Sequence, residues 1–159
     1  MALIFVDCEA CGASPSTGIL TEFGAVEFKS RKTFHGKIWD KSWPDTPTKI
    51  INAPEEVFKD FASWLQQFKG RPIFVSNNPA YDWQWINDGF HLHLDENPFG
   101  FSARRIGDFY AGLMGNFYAK QDWKRLRKTT HDHHPVHDAM GNVEAFQALL
   151  EGKFTNHQQ

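Results

Sequence analysis

Asp7 and Glu9 follow a short apolar run, residues 2–6 (ALIFV), and are separated by one residue. Side chains alternate along a strand, so positions two apart share a face. Both carboxylates therefore point the same way at a strand end. Like charges held that close repel, and burial raises the cost. A divalent cation would accommodate them, because hard cations such as Mg²⁺ and Mn²⁺ take oxygen ligands. Taken alone, the pair is better explained by Glu9 opening a loop and Asp7 capping a turn. Asp82 and Asp138 each fall in the first turn of an expected helix, where the helix dipole favours a carboxylate. Alone, each is simply a good helix start. His133 lies five residues before Asp138 and just ahead of Pro135, which puts an imidazole on a loop beside that carboxylate. An imidazole so placed suits a general base. His131, His133, His134 and His137 read equally as a solvated polar loop.

The elements that must position these residues are legible in outline. Residues 2–6 have the length and the Ile and Val content of a strand buried on both faces. Residues 9–19, with Gly12, Pro15 and Gly18, read as a loop. Further strands are expected over 20–28, 33–39 and 72–76. Residues 54–69 form the clearest helix, with Val57, Phe58, Phe61, Trp64, Leu65 and Phe68 at helical spacing. Pro54 starts it and Gly70 ends it. Asn78-Pro79 opens a second helix, with Asn78 as its cap, running to about 90. Residues 103–115 are expected to be helical, with Ile106, Phe109, Tyr110 and Leu113 on one side. A last helix spans 135–150, with Met140, Val143, Phe146 and Leu150 inward. Residues 116–134 are polar and basic, with no clear period. The order of elements implies an α/β domain with a mixed sheet.

The 159 residues suit one domain, assigned to 1–155 with a tail at 156–159, and 15 Phe and 6 Trp supply a substantial core. The net charge of −2 gives no global signal for nucleic acid. Cys8 and Cys11 are the only cysteines, too few for a disulfide framework. The N-terminus lacks the pattern of a signal peptide, and no apolar run approaches membrane-spanning length. A soluble, cytoplasmic protein with no membrane partner is the expectation.

Together the acidic residues and His133 resemble the signature of the DEDDh exonucleases, a group that includes polymerase proofreading subunits, oligoribonuclease and RNase T. The first motif reads FVDCEAC, followed by TEFGAV on the next strand. SNNPAYD resembles the second motif and ends in Asp82. HHPVHDAMGNVEAF resembles the third, with His133 and Asp138 at the family spacing. The sister group carries Tyr one position later, where this chain has His134. The resemblance spans residues 3–150 and implies a ribonuclease H-like fold of exonuclease topology, with a mixed central sheet flanked by helices. It implies two divalent ions, Mg²⁺ or Mn²⁺, held by Asp7, Glu9, Asp82 and Asp138, with His133 as general base. The implied substrate is a single-stranded 3′ end, released as nucleoside 5′-monophosphates. The stand-alone format inclines the expectation toward RNA, and many relatives are homodimers. Cys8 and Ala10 occupy positions where many relatives carry Thr.

Substrate contacts are expected at Ala10, Asn78, Trp83, Lys124 and Arg127. Residues 101–130 hold seven basic side chains against Asp108 and Asp122. Phosphate contact and a solvated basic face explain this equally well. Trp83 and Trp85 could stack on a base, although at least one is expected in the core. Cys8 and Cys11, with the histidines at 131–137, also permit a zinc site. A non-enzymatic nucleic-acid-binding module on the same fold is a further alternative.

Overall fold

The central strand β1 (Ala2–Cys11) pairs with β2 (Ile19–Glu27) on one side and β4 (Pro72–Ser76) on the other. A computed structural model describes residues 1–154 of the chain; the expected tail lies outside the described residues. β3 (Thr33–Lys37) and β5 (Ala103–Arg105) complete a five-stranded sheet of order β3-β2-β1-β4-β5. β2 runs antiparallel to both β1 and β3, whereas β4 is parallel to β1 and to β5. The sheet is thus mixed, as expected.

Alternation along β1 divides two cores. Ala2, Ile4, Val6, Cys8 and Ala10 face one layer, with helices α1 (Pro54–Leu65) and α2 (Pro79–Leu94). Leu3 and Phe5 face the other, with α3 (Ile106–Leu113) and α4 (Pro135–Leu150). Phe5 is fully buried and its ring packs 5.3 Å from that of Phe146. Burying such a side chain contributes about 1.5–3 kcal/mol. Asp7 and Glu9 continue the row of Leu3 and Phe5, so the acidic pair emerges on the α4 face.

Several boundaries differ from expectation. β1 runs on to Cys11 because β2 pairs with it along its whole outer length. The acidic residues therefore lie within a strand, and the loop shrinks to residues 12–18. α1 stops at Leu65, and Phe68 packs on Trp64 from the turn beyond it, with rings 4.8 Å apart. α2 continues past residue 90 to Leu94, ending at Asp95 in the left-handed region. Asn78 takes the cap position without a side-chain hydrogen bond. Residues 103–105 join the sheet edge before α3 begins. Phe109 and Leu113 are more than a third exposed, and Leu149 rather than Leu150 is the buried residue at the end of α4. These positions sit at helix edges, where a one-residue rotation decides burial. The polar, basic stretch 116–134 contains a short 3₁₀ turn, Asp122–Leu126, which buries Trp123.

Gly24 fixes where α4 begins. It lies opposite Asp7 in the ladder, and a Cβ there would stand 2.4 Å from the backbone of Pro135 and Val136. The helix start rests directly on the sheet, which carries Asp138 down to Asp7. Gly24→Val should therefore lift α4. It should cost about 1–3 kcal/mol in stability and at least roughly tenfold in divalent-cation affinity. Calorimetry and a metal titration check this; unchanged affinity would show that α4 need not touch the sheet.

Candidate active site

β1 and β4 pair only as far as Phe5 and Val75, whereas β1 and β2 stay paired to Cys11. Beyond residue 75 the two parallel strands part, and the crevice at their carboxyl ends opens, the usual ligand site of such sheets. α2 starts at this point. Its Asp82 reaches back into the gap, where Oδ1 accepts the Cys8 backbone N–H at 3.0 Å. The side chain thus takes up a donor that β4 has left behind.

A bulge sits on the other side. The register shifts between Glu9 and Ala10, leaving Thr21 unpaired on β2. The Thr21 hydroxyl donates to the Glu9 carbonyl at 2.8 Å. Bulges re-aim neighbouring side chains, and this one lies at Glu9. One carboxylate oxygen from each of Asp7, Glu9 and Asp138 falls within 4.8 Å of the others. Asp138 and Asp82 are buried. Asp138 Oδ2 is buried without a hydrogen-bond partner. An orphaned carboxylate oxygen among other carboxylates is a donor set fitted to a hard cation.

The electrostatics agree with this geometry. Burial, reinforced by Asp82, Asp138 and Glu9, holds the Asp7 carboxyl well above its ordinary range, and Arg127 partly offsets it. Burial, with Asp138, Glu22 and Asp82, pushes Glu9 up to about 8. Burial raises Asp82 to about 7 against the opposing hydrogen bond from Cys8. Groups crowded this way release protons when a cation arrives.

His133 stands at φ +60°, half exposed, with Nδ1 3.8 Å from Glu9 Oε1. Its loop is tied down by Asp132, which accepts the His134 N–H at 3.0 Å and pairs with His137 Nδ1 at 2.8 Å. His131 does not belong to a merely solvated loop: its Nδ1 lies 2.8 Å from Asp138 Oδ1. His131, His133 and Asp138 form a second group able to hold a cation, and two imidazoles suit a softer metal than the carboxylate trio does. Neither thiol enters such a group among the described residues. Cys8 packs in the core, with its thiol donating to the Asp82 carbonyl at 3.6 Å, and the Cys11 thiol reaches the Asp45 carbonyl at 3.8 Å. The zinc site through Cys8 and Cys11 is not formed, because the strand sends Cys8 into the opposite layer.

An open cleft of about 500 Å³ adjoins the carboxylates, lined by Glu9, Ala10, Gly12, Trp43, Tyr81 and His133. Of the expected substrate contacts, Ala10 lines this cleft. Asn78 is exposed at the start of α2 and offers its carbonyl to the N–H groups of Tyr81 and Asp82. Trp83 is turned away, packed edge-on against Phe74 at 5.2 Å, and Trp85 is buried. Arg127 is half-buried, its guanidinium donating to Asn142 Oδ1 at 2.6 Å and stacking over Trp123. Trp43 and Tyr81 are aromatics of the cleft that no spacing in the sequence singles out. Trp43 lies in the Pro-containing loop, and Tyr81 reads only as a residue of α2.

No family model matches the chain. It is 28% identical over 109 residues to the 3′-5′ DNA exonuclease Cap18 of Escherichia coli, a match covering 60% of this chain and 56% of that protein. Its fold matches that of E. coli ExoI, solved with ssDNA and zinc, at TM-score 0.59 and 15% identity, over 94% of this chain and 39% of that one. The chain is thus similar in part of its sequence to a 3′-5′ DNA exonuclease, and in fold to ExoI. The match to Cap18 spans just over half of that protein's length, and that to ExoI well under half. The ribonuclease H-like exonuclease fold expected from the resemblance is the fold found. The described residues hold no helix long and apolar enough to cross a membrane.

Proposed function

We propose that the chain is a divalent-metal-dependent 3′-5′ exonuclease that removes nucleoside 5′-monophosphates from single-stranded DNA. The observation that carries this reading is the convergence of one carboxylate oxygen from each of Asp7, Glu9 and Asp138, beside the unpartnered buried Oδ2 that Asp138 also carries. Asp82 closes the crevice behind them and His133 flanks it. The sequence similarity to a 3′-5′ DNA exonuclease supports the same reaction. The relative named as a DNA exonuclease favours DNA over the RNA expected from chain size.

Asp7, Glu9 and Asp138 would hold one ion, and Asp82 with Asp7 a second. When bound, Mg²⁺ or Mn²⁺ supplies an activated water and charge to steady the leaving oxygen. The imidazole of His133 takes a proton from the attacking water. That water oxygen bonds to phosphorus as the bond from phosphorus to the 3′ oxygen breaks. The leaving 3′ oxygen gains a proton from solvent, and the strand is one residue shorter. Trp43 and Tyr81 wall the cleft that would receive the terminal base, where stacking tolerates any base. Asp132 keeps the His133 loop in place.

Labelled single-stranded DNA and RNA of matched sequence, incubated with each metal, test this reading. A ladder shortening from the 3′ end of DNA is the expected result, and an intact strand under both metals would refute it. His133→Ala should lower kcat by about 10²–10⁴-fold while Mn²⁺ binding, followed by calorimetry, stays near wild type. Loss of binding in that variant would make His133 a ligand instead. The homodimer implied by the resemblance alone is checked by light scattering against the chain mass of 18.3 kDa.

A further inference from the structure

A second groove, of about 420 Å³, lies between α3 and the segment that follows it, lined by Arg105, Gly107, Ala111, Asn116, Phe117 and Gln121 among others. Its size suits a small ring system. Phe117 and Tyr118 stand beside it with 89% and 88% of their surfaces exposed, rings edge to face at 5.7 Å. Exposed neighbouring aromatics gain nothing from water. They suit a ligand with flat faces.

Contiguous contacts join this groove to the carboxylates. Asn142 lies one helical turn beyond Asp138 on α4 and accepts from Arg127 at 2.6 Å. Arg127 stacks over Trp123 at 5.2 Å, and Trp123 Nε1 donates to Gln121 Oε1 at 2.9 Å. Gln121 lines the groove. From the other direction, Arg105 donates to the Asn77 carbonyl at 3.3 Å, beside the start of α2, and also lines the groove. Lys124 belongs to the 3₁₀ turn between Gln121 and Arg127, and burial, then Arg127 and Arg105, hold its ammonium below its ordinary value. Three cations, of which Arg105 also pairs with the lining residue Asp108 at 3.5 Å, thus lead from the acidic crevice to a groove edged by Phe117, in a chain whose net charge is −2. Spaced cations that lead to an exposed aromatic pair match a phosphate backbone whose bases are unpaired, since a duplex hides the faces of its bases.

We propose that this groove carries the body of single-stranded DNA upstream of the scissile phosphate, with Arg127, Lys124 and Arg105 along the backbone and a base against Phe117. The inference rests on the exonuclease reading for the direction of the strand, but its test does not require catalysis. Fluorescence anisotropy with a labelled 12-nucleotide single strand, in EDTA, reads binding alone. Phe117→Ala should weaken binding roughly tenfold. The Arg105→Ala/Lys124→Ala double variant should weaken it and reduce the salt slope by about 1.4. Leu92→Ala, in a separate apolar groove, should bind as wild type does. A 12-base-pair duplex should compete poorly. Wild-type affinity in Phe117→Ala, equal loss in Leu92→Ala, or a duplex competing equally would overturn the proposal, as would a dimer in light scattering that Phe117→Ala dissolves. Binding with these losses but no hydrolysis under Mg²⁺ or Mn²⁺ would refute the exonuclease reading and leave the groove standing. Hydrolysis with unchanged binding in the variants would do the reverse.

Discussion

Asp7→Asn should abolish metal-dependent hydrolysis and, in the same preparation, raise the melting temperature of the metal-free protein. The two effects have one origin. Asp7 lies where Glu9, Asp82 and Asp138 all oppose its charge, and only Arg127 favours it. Without a cation this crowding works against the fold, so a neutral isostere relieves it. With a cation the same carboxylate would be a ligand under the proposed function, and Lewis-acid stabilisation is worth several kcal/mol in a transition state. A loss of about 4 kcal/mol is three decades in rate. The expected outcome is a fall in kcat/KM of at least about 10³-fold. The melting temperature in EDTA should rise by a few degrees, at about 2–4 °C per kcal/mol for a domain of this size. Calorimetry and a 3′-end assay measure the two. Activity within tenfold of wild type would remove Asp7 from the site. A lower melting temperature would mean that the cluster is not repulsive.

The metal-free protein should lose stability as pH rises from about 5 to 8, and Mg²⁺ or Mn²⁺ should suppress that loss. Asp and Glu titrate near 3.9 and 4.3 in an unfolded chain. In the folded chain Glu9 is raised to about 8 and Asp82 to about 7, with Asp7 raised as well. Between these limits the folded state binds more protons than the unfolded state. Stability therefore falls with rising pH. It is fully present below the unfolded values and is lost as pH passes through the folded ones. His134 works in the opposite sense, because burial holds its imidazole below the ordinary value. It is one group against three. Carboxylates lowered by hydrogen bonds, such as Glu27 with Ser30 and Glu144 with Thr129, act in the acid range below this window. Thermal scans at several pH values, with EDTA and with metal, give the result directly. The shift produced by metal should widen toward pH 8, since binding requires deprotonated ligands. A metal-free melting temperature that climbs between pH 5 and 8 would contradict the crowding of these carboxylates.

Much of the frame was legible because local patterns dominate it. The apolar run before Asp7, the helical period of Val57 to Leu65 and the Pro starts of α2 and α4 each reflect a short-range rule. The third motif also set His133 and Asp138 on the correct sides of a helix start. Errors fell where a neighbour supplies the missing constraint. β1 outlasts its apolar run because β2 pairs with it to Cys11, and Asp7 and Glu9 are strand residues for that reason. Trp83 and Trp85 looked alike in sequence, yet Phe74 and the core claim both.

By itself, then, the sequence determined the order of elements, the row that puts Asp7 and Glu9 on one face, and the five residues of the resemblance. Periodicity and spacing encode these within one segment. Only the tertiary structure decided that β4 parts from β1 at the crevice, that Gly24 admits α4 to the sheet and that Asp138 meets Asp7 and Glu9. It also decided that His131 holds Asp138, and that Trp43, Tyr81 and Phe117 line clefts. Those facts depend on contacts between segments far apart in the chain. No local rule reports a side chain's neighbours across a sheet.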